Sequence, residues 1–203
     1  MELFQTIHAR RSIRSFLPEE VPVQVLRAMV EAAFAAPSIN DSRLLSAVAV
    51  TRRELIAQMA EVVRRRLGEL EIEDKQVHRT VEHFSTLFEN APALLVFARR
   101  PYEALIDKAL GGSLSPEAVN AMRGYPDLLS VGAAVENALL AATALGYDSC
   151  WLSGPLLAGD ALAPLLDVQP PALIASLIAV GKRASEPKKR EPVELAQRFT
   201  LLS

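Results

Sequence analysis

Arg10, Arg11 and Arg14 crowd around Ser12 in the stretch "HARRSIRSF", and Lys188, Lys189 and Arg190 form a second knot in the tail "KRASEPKKREPVEL". Both sit in a chain of 203 residues whose net charge is only −2. Cations at this density suit a phosphate monoester, which carries nearly two negative charges and takes guanidinium forks together with hydroxyl or backbone donors. Arg10, Ser12 and Arg14 could supply such donors from one turn, with Lys188 and Arg190 closing from the other side. Two solvated basic patches would look the same, and spacing alone does not separate the alternatives.

Other chemistries find less support. A slightly acidic chain argues against general nucleic-acid binding, which usually shows a basic domain. The histidines are His8, His78 and His83. The last two lie five apart, on different sides of any helix, so no metal site is expected. Neither a Walker loop, a G-x-G-x-x-G fingerprint nor a G-x-S-x-G elbow occurs. Cys150 stands alone in an apolar stretch, which excludes an internal disulfide, fits a reducing compartment and predicts a buried structural thiol. The acidic run at 69–74 and the basic run at 64–66 read as solvated helix surface. With no evident acid–base pair, a cofactor would have to carry any reaction, and no side chain is assigned as catalytic.

The elements that must position these residues follow from periodicity. Residues 2–10 predict a short amphipathic helix, and "VPVQVLRAMVEAAFAAPS" a second, with Pro22 near its start and Pro37 as its stop. The runs at 44–51, 91–98 and 173–181 predict strands, as does "YDSCWLSG"; the first reads as buried on both faces. Residues 53–90 predict two charged helices broken near Gly68. The segment 129–146 predicts a long helix, apolar almost all round, which calls either for a central core position or for cover from a second subunit. Residues 99–127, with prolines and glycines among polar residues, predict a loop-rich, lid-like excursion with a short helix near 115–123. The expected fold class is α+β: one domain over 1–203, with a small central mixed or antiparallel sheet surrounded by helices. The N-terminus lacks a signal-like apolar core, and no run reaches the ~20 apolar residues of a membrane span, so a cytoplasmic location is expected.

The ordered set "RRSIRSF", "AAPS", "NAPALLVF", a long helix ending "ALG", "GYDSCWLSGP", "IAVGK" and the K-x-R of the tail resembles the nitroreductase family of FMN-dependent flavoproteins. By that resemblance Arg10, Arg11, Ser12 and Arg14 match phosphate and ribityl contacts, as do Lys188 and Arg190. Pro37 and Ser38 match the turn that edges the isoalloxazine ring. Ser153 and Gly154 fall where the backbone of family members faces the central ring and N5. The resemblance implies a homodimer with FMN sites shared between subunits. It further implies NAD(P)H as the reductant and a ping-pong cycle onto nitroaromatics, quinones or enones. Neither a membrane nor a nucleic acid is expected as a partner.

Two departures stand out. After "APS" the family commonly reads S-x-x-N-x-Q-P-W, whereas this chain has Ser38-Ile39-Asn40-Asp41-Ser42-Arg43-Leu44-Leu45. An anionic Asp41 would disfavour the negative charge gained by a reduced flavin's N1–C2 edge, so Asn40 is the expected contact, with Arg43 offering positive charge. In "EHFSTLFENAP", where many relatives place Asn and Lys, this chain offers Phe84 and Leu87. These departures keep two alternatives open: a specialised flavin enzyme of the same fold (dehydrogenase, dehalogenase or flavin-modifying), or a non-catalytic flavin-binding dimer.

Overall fold

The computed structural model describes residues 2–102, 105–109, 113–188, 191, 194, 196 and 198–202. Its strands are β1 (Leu45–Val50), β2 (Ala93–Arg99), β3 (Asp148–Leu152) and β4 (Leu173–Gly181). They form one antiparallel sheet in the order β1-β2-β4-β3. The helices are α1 (Leu3–Ala9), α2 (Val23–Phe34), α3 (Arg53–Gly68), α4 (Lys75–Thr86), α5 (Leu105–Ala109), α6 (Pro116–Met122), α7 (Pro126–Ala144) and α8 (Gly159–Leu162). The expected α+β class is what is observed.

Alternation along the central strands splits the core in two. Leu94, Val96 and Ala98 of β2, with Leu177 and Ala179 of β4, pack beneath α3 and α8. Ala93, Leu95 and Phe97, with Ile178 and Val180, pack beneath α2 and α7. Because both faces of β2 and β4 are covered, these strands read as unbroken apolar runs. The expectation that β1 is buried on both faces is corrected: it lies at the sheet edge and exposes Ser46 and Ala49.

Helix α7 begins three residues earlier than expected, at Pro126, whose fixed φ suits a first turn. Its buried stripe of Val131, Ala134, Val135, Ala138, Leu139 and Ala142 faces the sheet and α2. The Asn137 side-chain amide donates to the Ala32 carbonyl at 3.1 Å and ties the two helices together. Within one chain α7 is therefore not covered all round: Leu128 and Leu129 remain exposed.

The feature that matters most for function is a backbone strap. Residues 12–17, after α1, run along the open edge of β3 and then across the end of β4. The Ile13 N–H donates to the Ser149 carbonyl at 3.0 Å, and the Leu17 N–H to the Lys182 carbonyl at 2.8 Å. In return the Ala184 N–H donates to the Ser15 carbonyl at 3.0 Å. The crossing is tight: a Cβ on Gly181 would lie 2.8 Å from the Pro92 ring and 2.9 Å from Phe16. Arg183 fixes the start of the tail, with its guanidinium 2.8 Å from Asp148 and its N–H donating to the same carboxylate at 2.9 Å.

Candidate functional site

The strap brings together the two ends of the chain that carry the basic clusters. Between the strap, the tail and α4 lies an open cavity of about 570 Å³. The strap contributes Arg11, Ser12, Ile13, Arg14 and Ser15, and the tail contributes Ser185, Pro187 and Lys188. Helix α4 closes the far side with His83 and Leu87 just beyond its end. Among the described residues, no carboxylate lines this space. Arg11 is oriented by its Nη1, which donates to the carbonyls of His8 at 2.6 Å and Arg10 at 2.9 Å. Among the described residues, no Asp or Glu forms an ion pair with Arg11, Arg14 or Lys188.

Of the sequence-predicted phosphate contacts, the structure therefore gathers Arg11, Ser12, Arg14 and Lys188. Arg10 does not join them. It caps α1 and turns to α7, with its Nε 3.1 Å from a Glu136 carboxylate oxygen, and it does not line the cavity. Arg190 lies outside the described residues. Ser15 and Ser185 carry no signal of their own in the sequence, and His83 is considered there only as a metal ligand.

A second cavity, of about 380 Å³, sits at the end of α2. Ser38, Asp41, Arg43 and Ser130 form its polar part, and Phe34, Pro37, Leu44, Leu45 and Ala134 its apolar wall. The loop here is tense: Asn40, Asp41 and Arg43 all hold left-handed backbone, with φ of 48°, 49° and 46°. Ser130 stabilises it by accepting the Ile39 N–H at 3.0 Å. The Asn40 amide does not line this cavity and instead donates to the Tyr102 hydroxyl at 2.6 Å. Asp41 and Arg43, 3.6 Å apart and exposed, line it. The two cavities share no residue.

Ser153 and Gly154 follow β3 and line neither cavity. Gly154 packs on α4, where a Cβ would come within 2.7 Å of Ser85 Oγ and 2.8 Å of its Cα. Steric room against α4 thus requires glycine here. Cys150 is 3% exposed, and burial pushes its thiol pKa up despite the opposing influence of Arg14. As expected, it is a structural residue and not a nucleophile. Among the described residues no group of His, Cys, Asp and Glu could hold a metal ion.

This arrangement has relatives. Over 201 residues, 94% of this chain and 89% of the relative, the chain is 27% identical to protein DrgA of Synechocystis. A BluB-like flavoprotein from Clostridium difficile superposes over the full length of both chains with a TM-score of 0.88 and 26% identity. A nitroreductase with bound FMN from Bacteroides fragilis matches over the full length of both, at TM-score 0.76 and 23% identity, and so shares the fold. The nitroreductase family model matches residues 7–182, and the chain belongs to that family.

Proposed function

We propose that the chain is an FMN-dependent oxidoreductase that uses NAD(P)H to reduce electron-poor acceptors (nitroaromatics, quinones or enones) in a ping-pong cycle. The observation that carries this is the cavity in which Arg11, Arg14 and Lys188 meet the hydroxyls of Ser12, Ser15 and Ser185 without a carboxylate among them. That donor set fits a phosphate dianion: guanidinium forks and an ammonium supply charge, and hydroxyls fill the remaining lone pairs. Family membership supports FMN as the phosphate's bearer. When bound, FMN supplies the hydride exchange that no side chain here offers.

The chain's own residues then bind, orient and exclude. Arg11, Arg14 and Lys188 hold the phosphate, and Arg190 joins them by the resemblance. Pro37 and Ser38 border an apolar wall suited to a flat ring. Because the phosphate cradle and this wall occupy separate cavities, one site is completed by the Pro37–Arg43 loop of a second copy. Leu3 and Phe4 of α1 and Leu128 and Leu129 of α7, all exposed, offer apolar surface for that homodimer. The lid expected at 99–127, whose residues 103, 104 and 110–112 lie outside the described residues and whose ends belong to β2 and α7, is assigned to the single domain as cover for the substrate face. A cytoplasmic location rests on the lone reduced Cys150.

A second reading, a specialised flavin enzyme of the same fold, is favoured by the Arg43-Leu44-Leu45 departure and by the likeness to the BluB-like flavoprotein. One experiment separates these. Purified protein is given FMN, its melting temperature is followed, and NADH or NADPH is then added anaerobically. A yellow protein bleached by nicotinamide and reoxidised by a nitroaromatic or quinone supports the first reading. A yellow protein unmoved by either nicotinamide supports the second or a non-catalytic flavin-binding dimer, and a protein with no colour and no thermal shift contradicts all three.

A further inference from the structure

In the sequence His83 stands out only as a possible metal ligand, yet the structure places it in the wall of the cationic cavity. The phase of α4 puts it there. Asp74 caps the helix by accepting the N–H groups of Gln76 at 2.7 Å and Val77 at 3.1 Å. Ser85 and Thr86 are then buried toward the core, while His83 and Leu87, four residues apart, share the outer face. The imidazole stands edge-on to Phe84 at 5.3 Å between centroids. Among the described residues it makes no hydrogen bond and no ion pair. Across the cavity it faces the cations Arg11, Arg14 and Lys188 and, among the described lining residues, no acid. Its helical neighbour Glu82 is engaged elsewhere, by Arg64 at 3.5 Å and His78 at 3.8 Å.

The cavity thus has two chemically distinct walls. Strap and tail offer charge and hydroxyls, which suit phosphate. The α4 wall offers one imidazole beside the apolar Leu87. A neutral imidazole presents one donor and one acceptor, matching a heteroaromatic edge whose N–H and C=O groups alternate. We propose that His83 is a further cofactor-binding residue, one that hydrogen-bonds the polar ring edge of the flavin while Leu87 packs against the ring system. This rests on the FMN reading and adds a contact to it.

The test is the dissociation constant of FMN and of riboflavin, from quenching of flavin fluorescence, for wild type, His83→Ala, His83→Gln and Lys188→Ala. His83→Ala is expected to weaken both flavins by the same factor, on the order of tenfold, as the loss of one hydrogen bond would. His83→Gln, which keeps a donor and an acceptor, recovers most of that loss. Lys188→Ala weakens FMN and leaves riboflavin as it was. Since His83 is exposed, the melting temperature of ligand-free His83→Ala should match wild type. Unchanged affinity of His83→Ala for both flavins overturns the proposal. A loss confined to FMN would make His83 a phosphate ligand and overturns the ring-edge assignment. Wild-type protein that binds neither flavin instead overturns the FMN reading on which the proposal stands.

Discussion

Two clusters of basic residues in this molecule have similar composition and opposite surroundings. On the outer face of α3, Arg64 lies against Glu61, Glu82 and Glu89, and Arg66 against Glu69 and Asp160. Those carboxylates raise both guanidinium pKa values above the ordinary range, and Arg66 in turn holds the Asp160 carboxyl below its own. Around the cavity, Arg11, Arg14 and Lys188 converge with no acid among the described residues to answer them. Like charges gathered without counter-ions raise the energy of the folded chain, so the arrangement makes sense as an anion site. The α3 cluster is the solvated, paired surface that both clusters could have been. Charge density alone does not mark a site; the missing partner does.

If that contrast is sound, mutations should sort by region. The largest effect is expected from the Arg14→Ala/Lys188→Ala double variant. Each removes a charge-assisted contact with phosphate, worth about 1.5–3 kcal/mol, so FMN affinity measured by titration should fall by about two orders of magnitude or more. Ligand-free stability should hold or rise slightly, since repulsion is relieved.

Next is Gly154→Ala, which drives a methyl group into Ser85 and the α4 backbone. Overpacking of this kind costs about 1–3 kcal/mol, seen as a drop of several degrees in melting temperature. Because α4 forms one wall of the cavity, some loss of FMN affinity should accompany it.

Arg64→Ala should show the opposite pattern from the double variant. Stability falls by up to about 1 kcal/mol in chemical denaturation, the usual range for a surface ion-pair network, while FMN affinity is unchanged. Arg10 belongs with the paired group through Glu136, so Arg10→Ala should weaken FMN less than Arg14→Ala does.

The smallest effect concerns pH. The Asp160 carboxyl is depressed by Arg66, so its contribution to stability is fully present above the ordinary carboxylate pKa of about 3.9 and is lost as pH falls through the lower folded value. Melting temperatures of wild type and Asp160→Asn should differ slightly at pH 7 and converge in strong acid.

Much of the fold was legible because its signals are local. The β4 run at 173–181 was read to the residue, since an apolar stretch covered on both faces needs no context. The break near Gly68 and the stop at Pro37 were also plain. β1 is less buried than its apolar run predicts because edge position is a property of the sheet, and nothing within 44–51 encodes it. The start of α7 lies earlier than the sequence pattern predicts because Pro126 reads as loop, whereas at a first turn it begins the helix.

At the site, residue types were legible and directions were not. Arg10 and Arg11 are adjacent, yet the end of α1 sends one toward Glu136 and the other to the cavity. The position of His83 is not legible in the sequence, because the phase of α4 relative to the strap is fixed by packing at Ser85 and Gly154, not by its neighbours in the chain. The meeting of strap and tail depends on backbone bonds such as Ala184 N–H to the Ser15 carbonyl, between residues far apart in the chain.

The central claim is that the acid-free cation cluster is a phosphate site. It is tested most directly by comparing FMN with riboflavin on wild-type protein, in one buffer at low ionic strength. The two ligands differ only in the phosphate. FMN is expected to bind at least about a hundredfold tighter, as befits a dianion met by several charge-assisted hydrogen bonds. Equal affinities would contradict the claim and leave Arg11, Arg14 and Lys188 as surface charge.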